Sequence, residues 1–198
     1  MKLYTNPASP FGRKCRVIAR ELNLKLEEIN ISPFQDPGMR RINPLGKIPA
    51  LVLDDGSVLI DSPVICEYLN HVGGGKFFPG MSIFRHSSGR WKALGLQALG
   101  DGLADATVAW VLMGREEQVP QKARARQMET ILAALGSLEK VKYAKVPTIG
   151  EIAVACALGY MEMRLTDLDW RPTHPNLSGW YAQFCEYPSM KDTAPRAP

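Results

Sequence analysis

Cysteine, histidine and long apolar runs are scarce in this chain, and each scarcity removes a class of function. Cysteine occurs four times in 198 residues, at Cys15, Cys66, Cys156 and Cys185. No CxxC is present, which argues against a dithiol redox pair and against a zinc site of that spacing. Three of the four fall among apolar residues of helix-like segments and read as reduced, small core residues of a cytoplasmic protein. The histidines, His71, His86 and His174, lack metal-ligand spacing, and no HExxH occurs, so no metal is expected. No GxSxG marks a hydrolase elbow. The opening MKLYTNPASPFGRK has no apolar stretch of the kind that addresses a chain for secretion. The longest apolar run, Ile152 to Met161, is about half of a membrane span, so no membrane partner is expected.

What is present is ordinary for a globular protein: 45% hydrophobic and 22% charged residues, enough to bury a core in one large or two small domains. A net charge of +4 is mildly basic. The densest basic stretch, Lys122, Arg124 and Arg126, alternates with Gln121, Ala123 and Ala125, and reads as a solvated helix face. No nucleic-acid partner is expected.

The chain divides by pattern. Lys2 to Thr5 reads as a strand, broken by Asn6-Pro7-Ala8-Ser9-Pro10. Pro10 suits a first helical position, which makes Ser9 the cap of a helix with Phe11, Cys15, Ile18 and Leu22 on one stripe. Leu26 to Ile31 is a second strand, so the opening is βαβ with a parallel pair. A short helix fits around Met39 to Ile42. Ala50 to Leu53 and Ser57 to Ile60 flank Asp54-Asp55-Gly56, a hairpin signal. A helix follows Ser62-Pro63 and ends at Gly73-Gly74-Gly75. Residues 77–84 read as a linker, separating a domain of 1–76 from an all-helical domain of 85–198. The helical part comprises His86 to Arg115, softened by glycines, Gln121 to Lys142, and a central apolar helix. That last helix opens with the capping box Thr148-Ile149-Gly150-Glu151. A final helix covers Pro175 to Tyr187.

Two places in the first domain carry chemistry. Pro49 has no N–H for a ladder and belongs at a strand entrance. A cis bond after Ile48 would turn the Ile48 N–H and C=O sideways, free to pair with an extended peptide; a trans proline that merely starts a strand is the commoner case. Ser62 reads as a helix cap with Pro63 first in the helix and Ile65 at the third position. No acid then neutralises the helix start, which suits an incoming carboxylate.

Taken together, SPFGRKCRVIARE (residues 9–21), NPLGKIPALVLDDGSVLIDSPVICEYL (43–69), PTIGEIAVACALGY (147–160) and HPNLSGWYAQFCEYPSM (174–190) resemble the soluble glutathione transferases, bacterial members above all. The resemblance implies an α/β thioredoxin-like N-terminal domain (βαβ-α-ββα) followed by an all-α domain. It implies that Pro49 is cis, that Ile48 pairs its backbone with the cysteinyl unit of glutathione, and that Asp61 and Ser62 hold the γ-glutamyl end. Asp61 is one methylene shorter than the glutamate or glutamine many members have. Lys47 stands where it would approach the glycine carboxylate. Ser9 matches the catalytic position, as donor to a glutathione thiolate; Tyr4, Thr5 and Asn6 are rivals in the same turn. Arg13 and Arg16 would add positive potential if they face the site. An electrophilic second substrate would lie over Phe11, Trp110 and Met113, although Trp110 and Met113 read equally well as core.

The implied function is an enzyme that binds glutathione as co-substrate, without metal, and directs its thiol at an electrophile, a peroxide or a disulfide. A cytoplasmic homodimer is implied with it. The competing readings are a non-catalytic binding or regulatory module on the same fold, and a glutaredoxin-like enzyme using its own thiol. The last is disfavoured because Ser9, not a cysteine, occupies the turn.

Overall fold

A computed structural model of the chain describes residues 1–33, 36–80, 88–118 and 121–196. The first part contains β1 (Lys2–Thr5), α1 (Pro10–Glu21), β2 (Glu27–Asn30), α2 (Met39–Ile42), β3 (Ala50–Val52), β4 (Val58–Leu59) and α3 (Ser62–Val72). The second contains α4 (Ser88–Met113), α5 (Gln121–Leu138), α6 (Ile149–Arg164), α7 (Pro175–Phe184) and α8 (Pro188–Asp192). The fold is the expected thioredoxin-like domain with a helical domain behind it.

The sheet runs β2-β1-β3-β4. β1 pairs in parallel with β2, Tyr4 opposite Ile29, and antiparallel with β3, Leu3 opposite Leu51. Strand alternation then sorts the side chains. Leu3 and Leu51 join Cys15 and Ile18 of α1 and Ile65 and Leu69 of α3 in the main core. Tyr4 turns to the other face, where Ile31, Met39 and Ala50 form a small cluster with Ile42, Ile48 and Ile60.

α6 is the axis of the helical domain. Every residue from Ile149 through Met161 is buried, so this helix has no solvent face and is held by neighbours all round. Its contacts give directions to the helices beside it. A Cβ on Gly150 would lie 2.8 Å from the Ala93 carbonyl oxygen, and one on Gly100 2.7 Å from the Val154 nitrogen, so α4 runs parallel to α6 in close approach. α1 runs the opposite way. Glu21, at its end, meets Lys76; Ile149, which opens α6, donates its N–H to the Phe77 carbonyl at 2.9 Å; and the Arg13 guanidinium lies against Gly159. The start of α1 and the ends of α4 and α6 therefore share one end of the molecule.

The two parts are bolted together by buried polar groups. Lys14, 1% exposed, places its ammonium 2.6 and 2.7 Å from the two carboxylate oxygens of Asp101 on α4. Burial works against that charge, but the Cys66 sulfur and the Asp101 carboxylate outweigh it and hold the lysine above its ordinary pKa. All four cysteines are free, three of them buried. The Cys15 and Cys66 sulfurs touch at 3.7 Å between α1 and α3. Burial pushes the Cys15 thiol well up and Cys156 up to about 11, as befits unreactive core residues.

Several boundaries differ from the pattern reading. Phe77 and Phe78, expected in a linker, are buried core residues; 81–84 of that linker, and His86 at the expected start of α4, lie outside the described residues. α5 ends at Leu138 rather than Lys142, because Tyr143 folds back, donates its hydroxyl to the Leu138 carbonyl at 3.0 Å and stacks on Trp180. The last predicted helix is two: α7 stops at Phe184, and Pro188, which disfavours helix in the residue before it, starts α8.

Candidate active site

At the end of β1 the chain must turn from strand into helix, and Asn6 makes the turn. Its Oδ1 accepts the N–H groups of Ala8 at 3.1 Å and Ser9 at 2.8 Å. Ser9 then caps α1, its Oγ accepting the Gly12 N–H at 3.1 Å, with Pro10 behind it. A hydroxyl that accepts one bond still has a proton to donate. Ser9 is 8% exposed, so that proton is offered from a largely dry position. Gly12 is required here: a Cβ would overlap Thr5 Oγ1, and only its absence lets α1 sit on the strand end. No acidic residue stands in the first turn.

The other polar groups of the turn are otherwise engaged. Tyr4 packs on the far face of the sheet with Ile42, Ile48 and Ile60. Thr5 is buried under Gly12, its hydroxyl toward the Asn6 carbonyl at 3.5 Å. Neither Arg13 nor Arg16 lends the turn a hydrogen bond among the described residues. Arg13 reaches back to α8, donating to the Met190 carbonyl at 3.0 Å and toward Thr193 Oγ1 at 3.4 Å. Arg16 faces Glu28 at 2.7 Å, and burial lowers its pKa against that carboxylate's pull.

The Ile48–Pro49 peptide bond is cis. The ladder with β1 begins at Ala50, so Ile48 stands outside it while its side chain is anchored among Tyr4 and Ile60. The segment is held by a residue the sequence reading missed. Buried Asn43 donates its amide to the Lys47 carbonyl at 2.7 Å and accepts the Leu45 N–H at 3.0 Å. Its only sequence signal is the Asn-Pro dipeptide followed by Gly46, which marks a turn and no more. The Lys47 side chain is exposed. Beyond it lies a cavity of about 470 Å³ lined by Pro33, Asp36, Pro37, Arg40, Leu45, Gly46 and Lys47.

The start of α3 corrects one assignment. Asp61, not Ser62, occupies the cap position, with extended backbone and no side-chain bond to the helix. Ser62 is the first helical residue, 2% exposed, and Pro63 the second. The cap slides because Asp61 can leave the helical backbone while Ser62 and Pro63 both continue it. The Asp61 carboxylate is exposed and the first turn holds no acid, as expected. On α4, Asp105 is exposed and within electrostatic reach of Asp61 and Lys47. Burial and Asp101 push its carboxyl above the ordinary range, Asp61 adds to the push, and Lys47 pulls it back.

Phe11, Trp110 and Met113 are half-buried, at the shared end of α1, α4 and α6. Trp110 is not bare: the Arg124 guanidinium stacks over its ring, 4.0 Å from the centroid. This overturns part of the solvated-face reading of Lys122, Arg124 and Arg126. The outer two are exposed, but Arg124 is half-buried against α4.

The comparisons with known proteins bear on the family and the fold. The family models for the glutathione S-transferase N-terminal domain and C-terminal domain match residues 3–76 and 121–183. The chain is 34% identical over 188 residues to the uncharacterized GST-like protein YibF of Escherichia coli, covering 89% of this chain and 90% of that one. A crystal structure of a glutathione transferase family member from Pseudomonas fluorescens with bound glutathione superposes with a TM-score of 0.88 at 39% identity, covering 99% of each chain. A second, with bound S-(propanoic acid)-glutathione, has a TM-score of 0.84 at 38% identity over all of both chains. With both family models matched in order and relatives aligned nearly end to end, the chain belongs to the glutathione S-transferase family.

Proposed function

We propose that this protein binds glutathione and lowers the pKa of its thiol for attack on an electrophile, peroxide or disulfide. The observation that carries the reading is the Ser9 hydroxyl, fixed as an acceptor by the Gly12 N–H and so left with its proton to give to a sulfur anion. In this reading residues 1–76 form the glutathione-binding domain. Ile48, outside its ladder beside cis Pro49, pairs with the cysteinyl backbone. Asp61 and Ser62, at an acid-free helix start, receive the γ-glutamyl group, and Lys47 faces the glycine carboxylate. Residues 85–198 supply the wall for the second substrate through Trp110 and Met113, opposite Phe11. The structures of relatives with bound glutathione and S-(propanoic acid)-glutathione support the ligand class.

The energetics close without metal or histidine. A free thiol has a pKa of about 8.5, and lowering it by about two units takes roughly 2.7 kcal/mol of preference for the anion. A hydrogen bond to a charged group supplies about 1.5–3 kcal/mol. The dipole of α1 adds about 0.3–1 kcal/mol, undiminished by any acid in its first turn. Arg13 and Arg16, engaged elsewhere, are not needed for the sum.

Titrating the thiolate absorbance of bound glutathione tests the reading. The expected result is tight binding with a thiol pKa below 7.5 or so in the wild type, rising in Ser9→Ala. Binding with an unshifted thiol would instead identify a non-catalytic module. The same reading makes the protein a cytoplasmic homodimer, checked by sedimentation and by fractionation.

A further inference from the structure

The end of the molecule that holds Ser9 also gathers arginines to which the reaction so far gives no work. Arg124 lies over Trp110 and within reach of Gly114, where a Cβ would stand 3.1 Å from its Nη2. Arg115 lies two residues beyond the end of α4. Arg164, the last residue of α6, lies over the Tyr160 ring at 5.6 Å. Burial raises the Tyr160 phenol, and Arg164, by its charge and a hydrogen bond, and Arg115, by its charge, oppose the rise.

None of the three has a carboxylate partner among the described residues, whereas Arg16, Arg20, Arg90 and Arg171 all do. Glu162, two residues before Arg164 on α6, is taken by Arg171 at 2.7 Å. The Nε atoms of Arg124 and Arg164 are buried without a hydrogen-bond partner among the described residues. Cations do suit the carboxyl ends of α4 and α6, but dipole complementarity asks only for charge nearby. It does not account for two guanidinium groups laid on aromatic rings with buried N–H groups unanswered. Such donors call for an acceptor, and a guanidinium fork matches a carboxylate.

We infer that the second substrate is an electrophile bearing a carboxylate, held by Arg124 on Trp110 with Arg115 and Arg164 beside it. The inference rests on the glutathione reading above. An α,β-unsaturated carboxylic acid satisfies the chemistry. The thiolate sulfur forms a C–S bond to the β-carbon, the π pair of the C=C bond moves to the α-carbon, and that carbon takes a proton from water. Pairing the carboxylate with guanidinium draws charge from the conjugated system and makes the β-carbon a better electrophile.

The test uses two product analogues of equal size, S-(2-carboxyethyl)glutathione and its neutral amide S-(2-carbamoylethyl)glutathione, titrated calorimetrically into the full chain. Their glutathione parts are identical, so the difference reports the distal group. The acid is expected to bind about tenfold tighter, the size of one good charge-assisted contact, with the advantage shrinking as salt is raised. Arg124→Gln and Arg164→Gln should each reduce the acid's advantage while glutathione itself binds as in the wild type. Equal affinity of acid and amide in the wild type, with glutathione still bound, overturns this inference alone. Failure of the wild type to bind glutathione overturns both it and the function proposed above. A preference that survives in both variants overturns the assignment to these arginines; if a variant does not fold, the wild-type pair of ligands still decides.

Discussion

Ser9 and Thr148 each cap a helix with a hydroxyl, and the two helices begin differently. At α6, Thr148 accepts the Gly150 N–H at 3.2 Å, and the buried Glu151 carboxylate turns back to accept the Thr148 N–H at 2.8 Å, the Thr148 hydroxyl at 2.5 Å and the Ala144 N–H at 3.2 Å. The donors and the dipole of that helix start are answered by its own anion. At α1, Ser9 accepts the Gly12 N–H and nothing acidic follows. At α3, Asp61 makes no cap bond at all. α6 answers its start with an acid of its own, whereas the starts of α1 and α3 hold none, and α3 also goes without a cap bond, worth about 1 kcal/mol. The difference is chemical, because an open start retains positive potential for a ligand's charge.

The sharpest way to break this comparison is at the closed end. Replacing Glu151 by alanine removes the acceptor of the Thr148 and Ala144 N–H groups and of the Thr148 hydroxyl, an expected loss of about 2 kcal/mol by urea unfolding. Glutathione affinity of the folded protein should not change. If Glu151→Ala weakened glutathione binding as much as a change at Ser9, the distinction between closed and open starts would vanish. Thr148→Ala is milder, about 1 kcal/mol, since the carboxylate still serves the backbone.

At the open end the effects should trade places. Ser9→Ala should cost about 1 kcal/mol of stability but about tenfold to a hundredfold in turnover near neutral pH. The sign with pH follows. Without the donor, the bound thiol's pKa rises toward its free value, so less thiolate exists at pH 7, and the rate deficit narrows as pH climbs past about 8.5. A deficit constant across pH would mean that Ser9 positions the thiol without stabilising its anion. An unchanged rate would reduce Ser9 to the role Thr148 has.

Local signals made much of this legible in advance. Alternation and turn residues located β1 and the β3–β4 hairpin, the capping box located α6, and Ser9-Pro10 located the start of α1. What escaped was set by contacts between distant segments. Nothing near Arg13 says that its guanidinium reaches α8, and nothing near Lys14 names Asp101 as its partner. Arg124 looked like one of three solvated cations because the ring it covers lies in another helix. The cap of α3 slipped by one residue because Asp61 and Ser62 are both good caps by type, and the choice between them depends on how the chain leaves β4. Asn43, which holds the Lys47–Ile48 segment, carries no pattern that separates it from any other turn asparagine.

The smallest expected effect is also the most direct probe of the open start. With Asp61 at the cap, the third helical position of α3 is Val64, which is 47% exposed and tolerates a polar side chain. Val64→Glu installs the acid that α6 has and α3 lacks. Stability should rise by about 0.5 kcal/mol, because the new carboxylate meets the helix dipole and the first-turn N–H groups. Glutathione affinity should fall severalfold, because the γ-glutamyl carboxylate would then meet a negative charge where the start of α3 had offered positive potential. Val64→Gln, of the same shape and without the charge, should leave affinity near that of the wild type. Stabilisation without any loss of affinity in Val64→Glu would show that the start of α3 is merely unfinished and does not serve the ligand.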